Sequence, residues 1–418
     1  MSAEVKPGYK HSDVGIIPED WDVVSLGEIG QCFIGLTYSP RDVQKNGTLV
    51  LRSSNIQGGD LVFDDNVYVD TEIPEKILVQ DGDILICVRN GSRRLIGKCA
   101  LLDKRVAGQT FGAFMSVFRT PDSAFTFHQF QSDLVKRQIE ENIGATINQI
   151  TNANLNAFKI PFPTDPYERA AIASVLSNID TLISSLDQLI IKKRNILQAT
   201  MQQLLTGQHR LPGFNREWEV RRLGEIGAFL KGSGVTRDQS GSGELPCVRY
   251  GEIYTSHHNV VRVFQSFISR EVANNATPLK EGDILFAGSG ETKAEIGKCV
   301  AFVDSFEAYA GGDIVILRPI SSDSTYLGYA LNTQEISRQK ASRGQGDAVV
   351  HISANALNTV EIRLPPKDEQ IAIATILSDM DTELASLVAR SNKARLLKYG
   401  IMQELLTGRI RLTNKAPA

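Results

Sequence analysis

Asp283, Glu291 and Lys293 occur close together and imitate the carboxylate–carboxylate–lysine set of a metal-dependent nuclease. In such a site the carboxylates hold the Mg²⁺ ion that assists hydrolysis. The pattern is loose and common by chance. A related stretch earlier in the chain keeps Asp83 but continues with Gly91-Ser-Arg93, which lacks the second carboxylate. A self-contained Mg²⁺-dependent nuclease is therefore an alternative function, but a weak one.

Other catalytic signatures are missing from the sequence. The Gly-Lys pairs of residues 97–98 and 297–298 are followed by cysteine, and neither has the preceding glycine of a phosphate-binding loop. The only Pro-Pro pair, Pro365-Pro366, is followed by Lys367, so the tetrad of amino-methyltransferases is absent. The six histidines show no metal-ligand spacing. We expect no catalytic residue, no metal and no cofactor.

An internal repeat organises the whole chain, with an offset of about 200 residues. This period is far too long for a solenoid repeat, so it indicates two homologous halves. Each half begins with a mixed region in which glycine-rich turns separate short β-rich runs. The matching segments are 21–30 with 218–227, 81–85 with 281–285, 96–99 with 296–299, 171–177 with 372–378, and 201–207 with 402–408.

A long helix is predicted at the end of each half, after Pro161-Phe-Pro163 and after Leu364-Pro-Pro366. Apolar residues follow the alternating spacing of a heptad repeat, and a glycine past the last turn ends each helix. Ser391, Ala394 and Lys398 weaken the middle of the second helix. The seam residues of the two helices include Leu176, Ile179, Ile183, Leu186 and Ile190, and Leu377, Met380, Leu384 and Leu387.

Helix pairing is the simplest way to bury both seams, although each helix could instead pack on its own domain. The pattern predicts α/β (α+β) domains in two homologous copies, separated by two long helices that form an antiparallel, pseudo-two-fold coiled coil. The predicted bounds are 1–165 for the first domain, 166–207 for the central helix, 208–366 for the second domain, 367–408 for the C-terminal helix and 409–418 for a tail.

Duplicated domains on a rigid spacer suit an interrupted DNA site whose two halves differ. Base edges are read by Arg, Lys, Asn and Gln, and phosphates attract cations, so polar loops are the candidate contacts. Each candidate could instead lie in a solvated loop that does not contact DNA. We interpret Lys192, Lys193 and Arg194 first as a solvated face of the long helix. The candidates are Arg52, Asn55, Arg89, Asn90, Ser92, Arg93, Arg94, Asn148 and Gln149 in the first half, and Arg249, Tyr250, Ser289, Lys293, Arg343, Gln345 and His351 in the second.

Several segments together resemble the specificity subunits of type I restriction–modification systems. They are Gly15-Ile-Ile-Pro-Glu-Asp-Trp21, Arg52-x-x-Asn55-Ile56, the repeated Gly-Asp-Ile-Leu and Ile-Gly-Lys runs, the segments 150–155 and 351–357, and the Leu-Leu-Thr-Gly helix ends. The resemblance covers essentially the whole chain, and it is the order and duplication of the segments that make it specific.

The resemblance implies two target-recognition domains that each read one half of a split double-stranded DNA site. It also implies that the helices set the spacer and bind two adenine-methylating modification subunits, to which translocating restriction subunits are added to form the nuclease. The chain itself would be non-catalytic. A coiled-coil scaffold that binds proteins is the second alternative to this function.

The bulk composition is that of a globular protein, with 42% hydrophobic and 22% charged residues. The net charge of −3 disfavours a protein that coats nucleic acid, so basic residues would have to cluster on one face. Five cysteines without a CxxC spacing are interpreted as buried apolar residues. No membrane span or export signal is recognised, so we expect a cytoplasmic protein.

Overall fold

The computed structural model describes residues 5–144, 148–346 and 349–413. The chain divides into two compact units. Unit 1 comprises residues 1–187 and 390–418, and unit 2 comprises residues 188–389. The division falls inside both long helices, so each unit contains one mixed helix-and-sheet domain together with a segment of each helix.

Unit 1 is built on two four-stranded sheets, with strand orders β11-β10-β13-β4 and β12-β6-β9-β5. Its helices are α1 (Leu26–Ile29), α2 (Ser123–Gln131), α3 (Asp133–Asn142), α4 (Asn152–Ala157) and the start of α5 (Pro166–Leu205). Its strands are β1 (Tyr9–Ser12), β2 (Gly15–Pro18), β3 (Trp21–Ser25), β4 (Gln31–Ile34), β5 (Val43–Gln44), β6 (Thr48–Leu51), β7 (Ile56–Gln57), β8 (Asp60–Leu61), β9 (Tyr68–Val69), β10 (Ile84–Cys87), β11 (Cys99–Leu101), β12 (Thr110–Phe111), β13 (Met115–Arg119) and β14 (Lys159–Pro163).

Unit 2 repeats this arrangement, with strand orders β16-β24-β20-β22 and β18-β17-β23-β19. Its helices are α6 (Leu223–Ile226), α7 (Tyr250–Thr255), α8 (Arg270–Ala273), α9 (Ser324–Ala330), α10 (Gln334–Arg343), α11 (Ala354–Asn358) and the start of α12 (Lys367–Leu405). Its strands are β15 (Glu219–Arg222), β16 (Gly227–Lys231), β17 (Leu245–Val248), β18 (Ser266–Ile268), β19 (Thr277–Pro278), β20 (Ile284–Ala287), β21 (Ser289–Gly290), β22 (Cys299–Ala301), β23 (Tyr309–Ala310), β24 (Ile314–Pro319), β25 (Val350–His351) and β26 (Glu361–Leu364).

Strand β10 separates two cores because its side chains alternate between the faces of the sheet. Ile84 and Ile86 pack into the core that includes α2 and α3, while Leu85 and Cys87 pack into the core of the second sheet. Strand β20 repeats this alternation in unit 2. A strand that is buried on both faces must be apolar at every position, which explains the repeated Ile-Leu run.

The Gly-Asp pair before each central strand has a structural role in both units. Gly82 and Gly282 adopt positive φ angles of 88° and 90°, which favour glycine. The buried Asp83 carboxylate pairs with Arg119 at 2.7 Å, and the buried Asp283 carboxylate pairs with Arg318 at 2.7 Å. Each carboxylate also accepts a backbone N–H from the preceding turn, so both turns are fixed to the sheet in the same way.

The two long helices run antiparallel within each unit. In unit 1, Ile172 and Leu176 of α5 share a core with Met402 and Leu405 of α12. In unit 2, the later part of α5 meets the first part of α12 in the same manner. Pairing of the helices and packing on the domains therefore occur together. The seam residues Leu176, Ile183, Leu186, Ile190, Leu377 and Leu387 are buried, and Ile179, Met380 and Leu384 are partly buried.

The polar positions that weaken the predicted seam of α12 have polar partners on α5 in unit 1. The Ser391 hydroxyl donates to Asp187 at 2.8 Å, and the Lys398 ammonium lies 2.6 Å from Asp180. These pairs satisfy groups that would otherwise be buried without partners. Both helices end as predicted, because Gly207 and Gly408 adopt a φ of 72° just past the last turn.

A buried glutamate in the first turn of each long helix fixes the adjoining segments. In unit 1, Glu168 accepts from the indole of Trp21 at 3.0 Å and from Arg411 at 2.7 Å. In unit 2, Glu369 accepts from Trp218 and Arg210 in the same way. Arg411 belongs to the segment predicted as a tail, of which residues 409–413 are described, and it supplies in unit 1 the contact that Arg210 supplies in unit 2. Among the described residues, every helix is too short or too polar to cross a membrane.

Candidate nucleic-acid interface

The loop that follows β10 brings several of the predicted contacts of unit 1 together. Arg89 forms a backbone bridge with Gln149, and the Asn90 N–H donates to the Asn148 carbonyl at 3.2 Å. The Asn148 amide donates in turn to the Gly91 carbonyl at 3.0 Å. Because these bonds use backbone groups, they hold the two loops side by side while Arg89 remains exposed. We call Arg89, Asn90, Asn148, Gln149 and the adjoining Phe114 the unit 1 tip.

Phe114 was missed by the sequence analysis, although it is 56% exposed at the tip. The Arg89 guanidinium lies over its ring, 4.9 Å from the centroid. The backbone N–H groups of Val88 and Arg89 donate to the Phe114 carbonyl at 3.0 and 3.1 Å, which places the two residues in contact through the main chain as well. An arginine stacked on an aromatic ring is restrained in direction while its polar edge stays open.

Cationic and polar residues surround the unit 1 tip. The Asn90 amide donates to the Ser53 hydroxyl at 3.2 Å, and Lys98 donates to the Ser53 carbonyl at 3.1 Å. Arg93 and Arg94 are exposed on the short 3-10 helix that follows the tip, and Arg93 donates to the Glu140 carbonyl. Ser92 is half-buried, and its N–H donates to the Asn90 side-chain oxygen. This surface therefore gathers three exposed arginines, Arg89, Arg93 and Arg94, in addition to the half-buried Lys98.

Two of the predicted contacts in unit 1 have structural roles instead. Asn55 is fully buried, and its amide donates to the Val62 carbonyl at 3.1 Å and to the Asn66 side chain. Its polar groups are used inside the domain, so it is not accessible to a duplex. Arg52 is half-buried and pairs with Asp65 at 2.8 Å. The ion pair makes Arg52 a residue that holds its loop in place, rather than a free cation.

In unit 2 the equivalent backbone frame carries different side chains. Ser289 pairs through the backbone with His351, as Arg89 does with Gln149, and the Ser289 hydroxyl lies 2.8 Å from the His351 Nδ1. Ser289 is buried, whereas His351 and Gln345 are exposed. Gln345 and His351 exchange backbone hydrogen bonds of 2.9 and 2.8 Å. The Gly288 N–H, next to Ser289, donates to the Asp313 carbonyl at 2.7 Å. We call Ser289, Asp313, Gln345 and His351 the unit 2 tip.

Tyr254 and Lys298 support the unit 2 tip from behind. The Tyr254 hydroxyl donates to the Ser289 carbonyl at 3.1 Å, and Lys298 donates to the Tyr254 carbonyl at 3.2 Å. Burial raises the pKa of Tyr254 to about 12, so the phenol keeps its donating proton at neutral pH. Burial also lowers the pKa of Lys298. Lys98 occupies the matching place in unit 1, which shows that this lysine supports the loop in both units.

The remaining predicted contacts of unit 2 are placed differently. The Arg343 guanidinium donates to the Gln339 carbonyl at 2.7 Å and to Thr359 at 2.8 Å, so it fixes the end of α10 instead of pointing to a ligand. Arg249 is half-buried at the start of α7, and Tyr250 beside it is exposed. Lys293 lies in the exposed loop 291–295. Residues 145–147, which precede the candidate Asn148, and residues 347–348, between the candidates Gln345 and His351, lie outside the described residues.

Asp283, the first carboxylate of the alternative nuclease site, is not available to bind Mg²⁺ in this structure. The Asp283 carboxylate is fully buried and paired with Arg318, in the same arrangement that Asp83 and Arg119 form in unit 1. A carboxylate held in this way has no free oxygen for Mg²⁺ at the surface. Within residues 5–144, 148–346 and 349–413, three or more His, Cys, Asp or Glu side chains do not come together in a metal-binding group.

Two homologous mixed domains, each with a tip that carries exposed polar side chains and each packed on paired segments of the long helices, define a class of protein with duplicated recognition domains. The family model for the type I restriction modification DNA specificity domain matches the chain twice, over residues 18–193 and 215–394. The chain therefore belongs to the family of type I restriction–modification specificity subunits, as the sequence resemblance predicted. The predicted mixed domains in two copies, each with a long helix, are also confirmed.

Curated relatives and solved structures agree with this family. The chain is 24% identical to the MjaVIII specificity subunit of Methanocaldococcus jannaschii over an alignment of 421 positions that spans 95% of each protein. It is 24% identical to the EcoKI specificity subunit of Escherichia coli K12 over 306 residues, covering 68% of this chain and 65% of that protein.

The S subunit of the M. genitalium type I system has a similar fold, with a TM-score of 0.64, 14% identity and coverage of 96% and 98% of the two chains. A chain from a structure that describes the assembly and conformational transition of a type I system has a TM-score of 0.51 at 19% identity, with coverage of 94% and 99%.

Proposed function

We propose that this specificity subunit reads a bipartite, asymmetric DNA target, with one half-site for each recognition domain. The domains are those predicted at 1–165 and 208–366. The observation that carries the proposal is that the two tips use one backbone frame but different side chains. Two domains that recognise different DNA sequences can share one backbone structure, but they must carry different side chains at the positions that contact the bases.

The long helices, predicted at 166–207 and 367–408, would fix the distance between the half-sites and bind two adenine-methylating modification subunits. Restriction subunits would complete the nuclease, and the chain itself would be non-catalytic. The seam residues are buried or partly buried against the other helix and the domains, so partners would contact other faces of the helices. Exposed apolar side chains support such contacts, because they are costly to leave in water. They are Leu182, Leu396, Leu397 and Tyr399 in unit 1, and Ile191 and Ile196 in unit 2. The cytoplasmic location expected from the sequence stays a prediction.

Selection of bound DNA from a random pool tests this function. The full chain, expressed with the products of its neighbouring genes, should recover a split motif with two different halves, and its binding should weaken strongly as salt rises. A methyltransferase should copurify with it. Recovery of DNA without a motif, or the absence of DNA binding at low salt, would contradict the proposal and favour a protein-binding scaffold.

The length of the helices should determine the spacer. Deleting one heptad from each helix, residues 184–190 and 387–393, preserves the heptad register of the seam. Seven helical residues correspond to roughly 10 Å, and a base pair rises about 3.4 Å, so the preferred spacer should shorten by about three base pairs. Both half-sites should keep their sequences. An unchanged spacer in the selected motif would contradict the role of the helices.

A further inference from the structure

Three positions of the two tips correspond in backbone structure but differ in chemistry. Arg89 and Gln149 form the backbone bridge of unit 1, and Ser289 and His351 form the matching pair of unit 2. The third position precedes β13 in unit 1 and β24 in unit 2, and it is occupied by Phe114 and by Asp313. Its carbonyl accepts the N–H that follows the central strand in both units, at 3.0 Å and 2.7 Å.

In unit 1, the Arg89 side chain is restrained in position before a ligand binds. Its guanidinium stacks on the exposed Phe114 ring, and it makes no ion pair or side-chain hydrogen bond within the part of the chain that the structure describes. The stack restrains the side chain before binding, which reduces the entropy lost when a ligand is bound. The open edge of an arginine fits the O6 and N7 atoms of guanine in the major groove.

Unit 2 carries an acidic residue, Asp313, at the third position, where unit 1 carries the uncharged Phe114. Asp313 is exposed, and its φ of 58° lies in the left-handed region, where a non-glycine residue is strained. A carboxylate near the phosphates of DNA is repelled unless it accepts a hydrogen bond from a base. Only cytosine N4 and adenine N6 offer an amino group in the major groove.

We propose that these positions decide which base each unit prefers, an inference that rests on the proposed function. Arg89, held on Phe114, reads a guanine in the half-site of unit 1. Asp313, beside Ser289 and His351, reads an amino-bearing base in the half-site of unit 2. The surrounding frame, with its Asp–Arg pair and supporting lysine, is the same in both units and carries no sequence preference.

Charge-conserving and shape-conserving variants test the inference in the full chain with its copurified subunits. Arg89→Lys keeps the cation but removes the bidentate edge, so preference for one guanine should fall by roughly 10- to 100-fold while the second half-site is unchanged. Asp313→Asn keeps the shape but removes the charge, and it should alter one position of the second half-site only. Selection would show whether that base is cytosine or adenine.

Arg105→Lys is the matched control, because Arg105 also lies over an aromatic ring, that of Phe63, outside the tip. It should leave the motif of the wild-type chain intact. A motif that survives Arg89→Lys unchanged, or that changes in the same half-site for Arg89→Lys and Asp313→Asn, overturns the inference while the proposed function stands. A wild-type chain that selects no split motif overturns both.

Discussion

At the end of β10 in unit 1, Arg89 and Gln149 occupy the backbone positions that Ser289 and His351 occupy at the end of β20 in unit 2. A few residues before each pair, the Gly-Asp turn and its buried ion pair are the same in both units. The repeat therefore preserves the backbone frame and varies the side chains that this frame presents. Recognition of two different half-sites requires no change of fold.

The units also differ at two buried positions. The helix position that carries Ile139 in unit 1 carries Lys340 in unit 2, and both side chains pack against the glycine of the Ile-Gly-Lys run. The position of His128 in α2 corresponds to that of Tyr329 in α9. The first difference places an ionisable group in the core of unit 2 only. The second replaces a histidine, whose ordinary pKa is 6.5, with a tyrosine, whose ordinary pKa is 10, so the two units should respond differently to pH.

The largest expected effect comes from breaking the shared frame. Asp283→Ala leaves Arg318 without its partner and frees the N–H of the turn, so unit 2 should lose about 3 kcal/mol of unfolding free energy. Asp83→Ala should cost unit 1 a similar amount. Hydrogen exchange of β10 and β20 reports the two units separately. A loss confined to DNA binding, with normal protection of β20, would contradict the structural role of Asp283.

Acid should weaken unit 1 through its buried His128. Burial lowers the pKa of His128 to about 3, whereas the unfolded value is near 6.5. The unfolded chain therefore takes up the proton first, and stability falls as the pH drops from about 6.5 toward about 3, by about 2 kcal/mol at roughly pH 5. The pKa of the Tyr329 phenol is raised by burial, so it stays neutral there.

Hydrogen exchange at pH 7 and pH 5 tests the contribution of His128. His128→Gln can keep a bond to Ser177, which lies 3.2 Å from the ring nitrogen, without titrating. This variant should remove the extra acid sensitivity of unit 1. If unit 1 loses the same stability between pH 7 and pH 5 in the variant and in the wild type, groups other than His128 cause the acid sensitivity.

A smaller effect is expected from Lys340, whose ammonium is buried and donates to the Gly297 and Leu331 carbonyls. Burial lowers its pKa, so unit 2 should gain stability as the pH rises toward the ordinary value of 10.5. Lys340→Ile installs the residue that unit 1 uses and should stabilise unit 2 by about 1 kcal/mol at pH 7.

Urea unfolding of the Lys340→Ile variant should show this gain and a flatter pH dependence above pH 7. A net loss of stability would contradict this expectation. It would mean that losing the hydrogen bonds to the two carbonyls costs more free energy than removing the buried charge recovers. The reverse exchange, Ile139→Lys, should destabilise unit 1.

Periodic features were predictable from the sequence. The repeat, the mixed domains and the helix ends at Gly207 and Gly408 depend on local patterns, and the structure shows the mixed domains and both helix ends. Pairing of Ser391 and Lys398 with carboxylates of α5 was not predictable, because it depends on the register between distant segments.

The candidate contacts were harder to predict than the fold. Polarity alone could not separate the exposed Arg89 from the buried Asn55 or from Arg343, which fixes a helix end. Phe114 escaped notice because it lies in the apolar run 111–118, which is typical of a core strand. Only the three-dimensional pairing of loops shows that its ring is exposed beside an arginine.

A binding measurement on the selected target shows whether each unit reads its own half-site. We expect Arg89→Ala to weaken binding about tenfold or more through the unit 1 half-site, because it removes the side chain that reads a base there. Scrambling that half-site should then cost little further affinity, while scrambling the other half-site should cost as much as in the wild-type chain. Equal losses at both half-sites would contradict the assignment of one half-site to each unit.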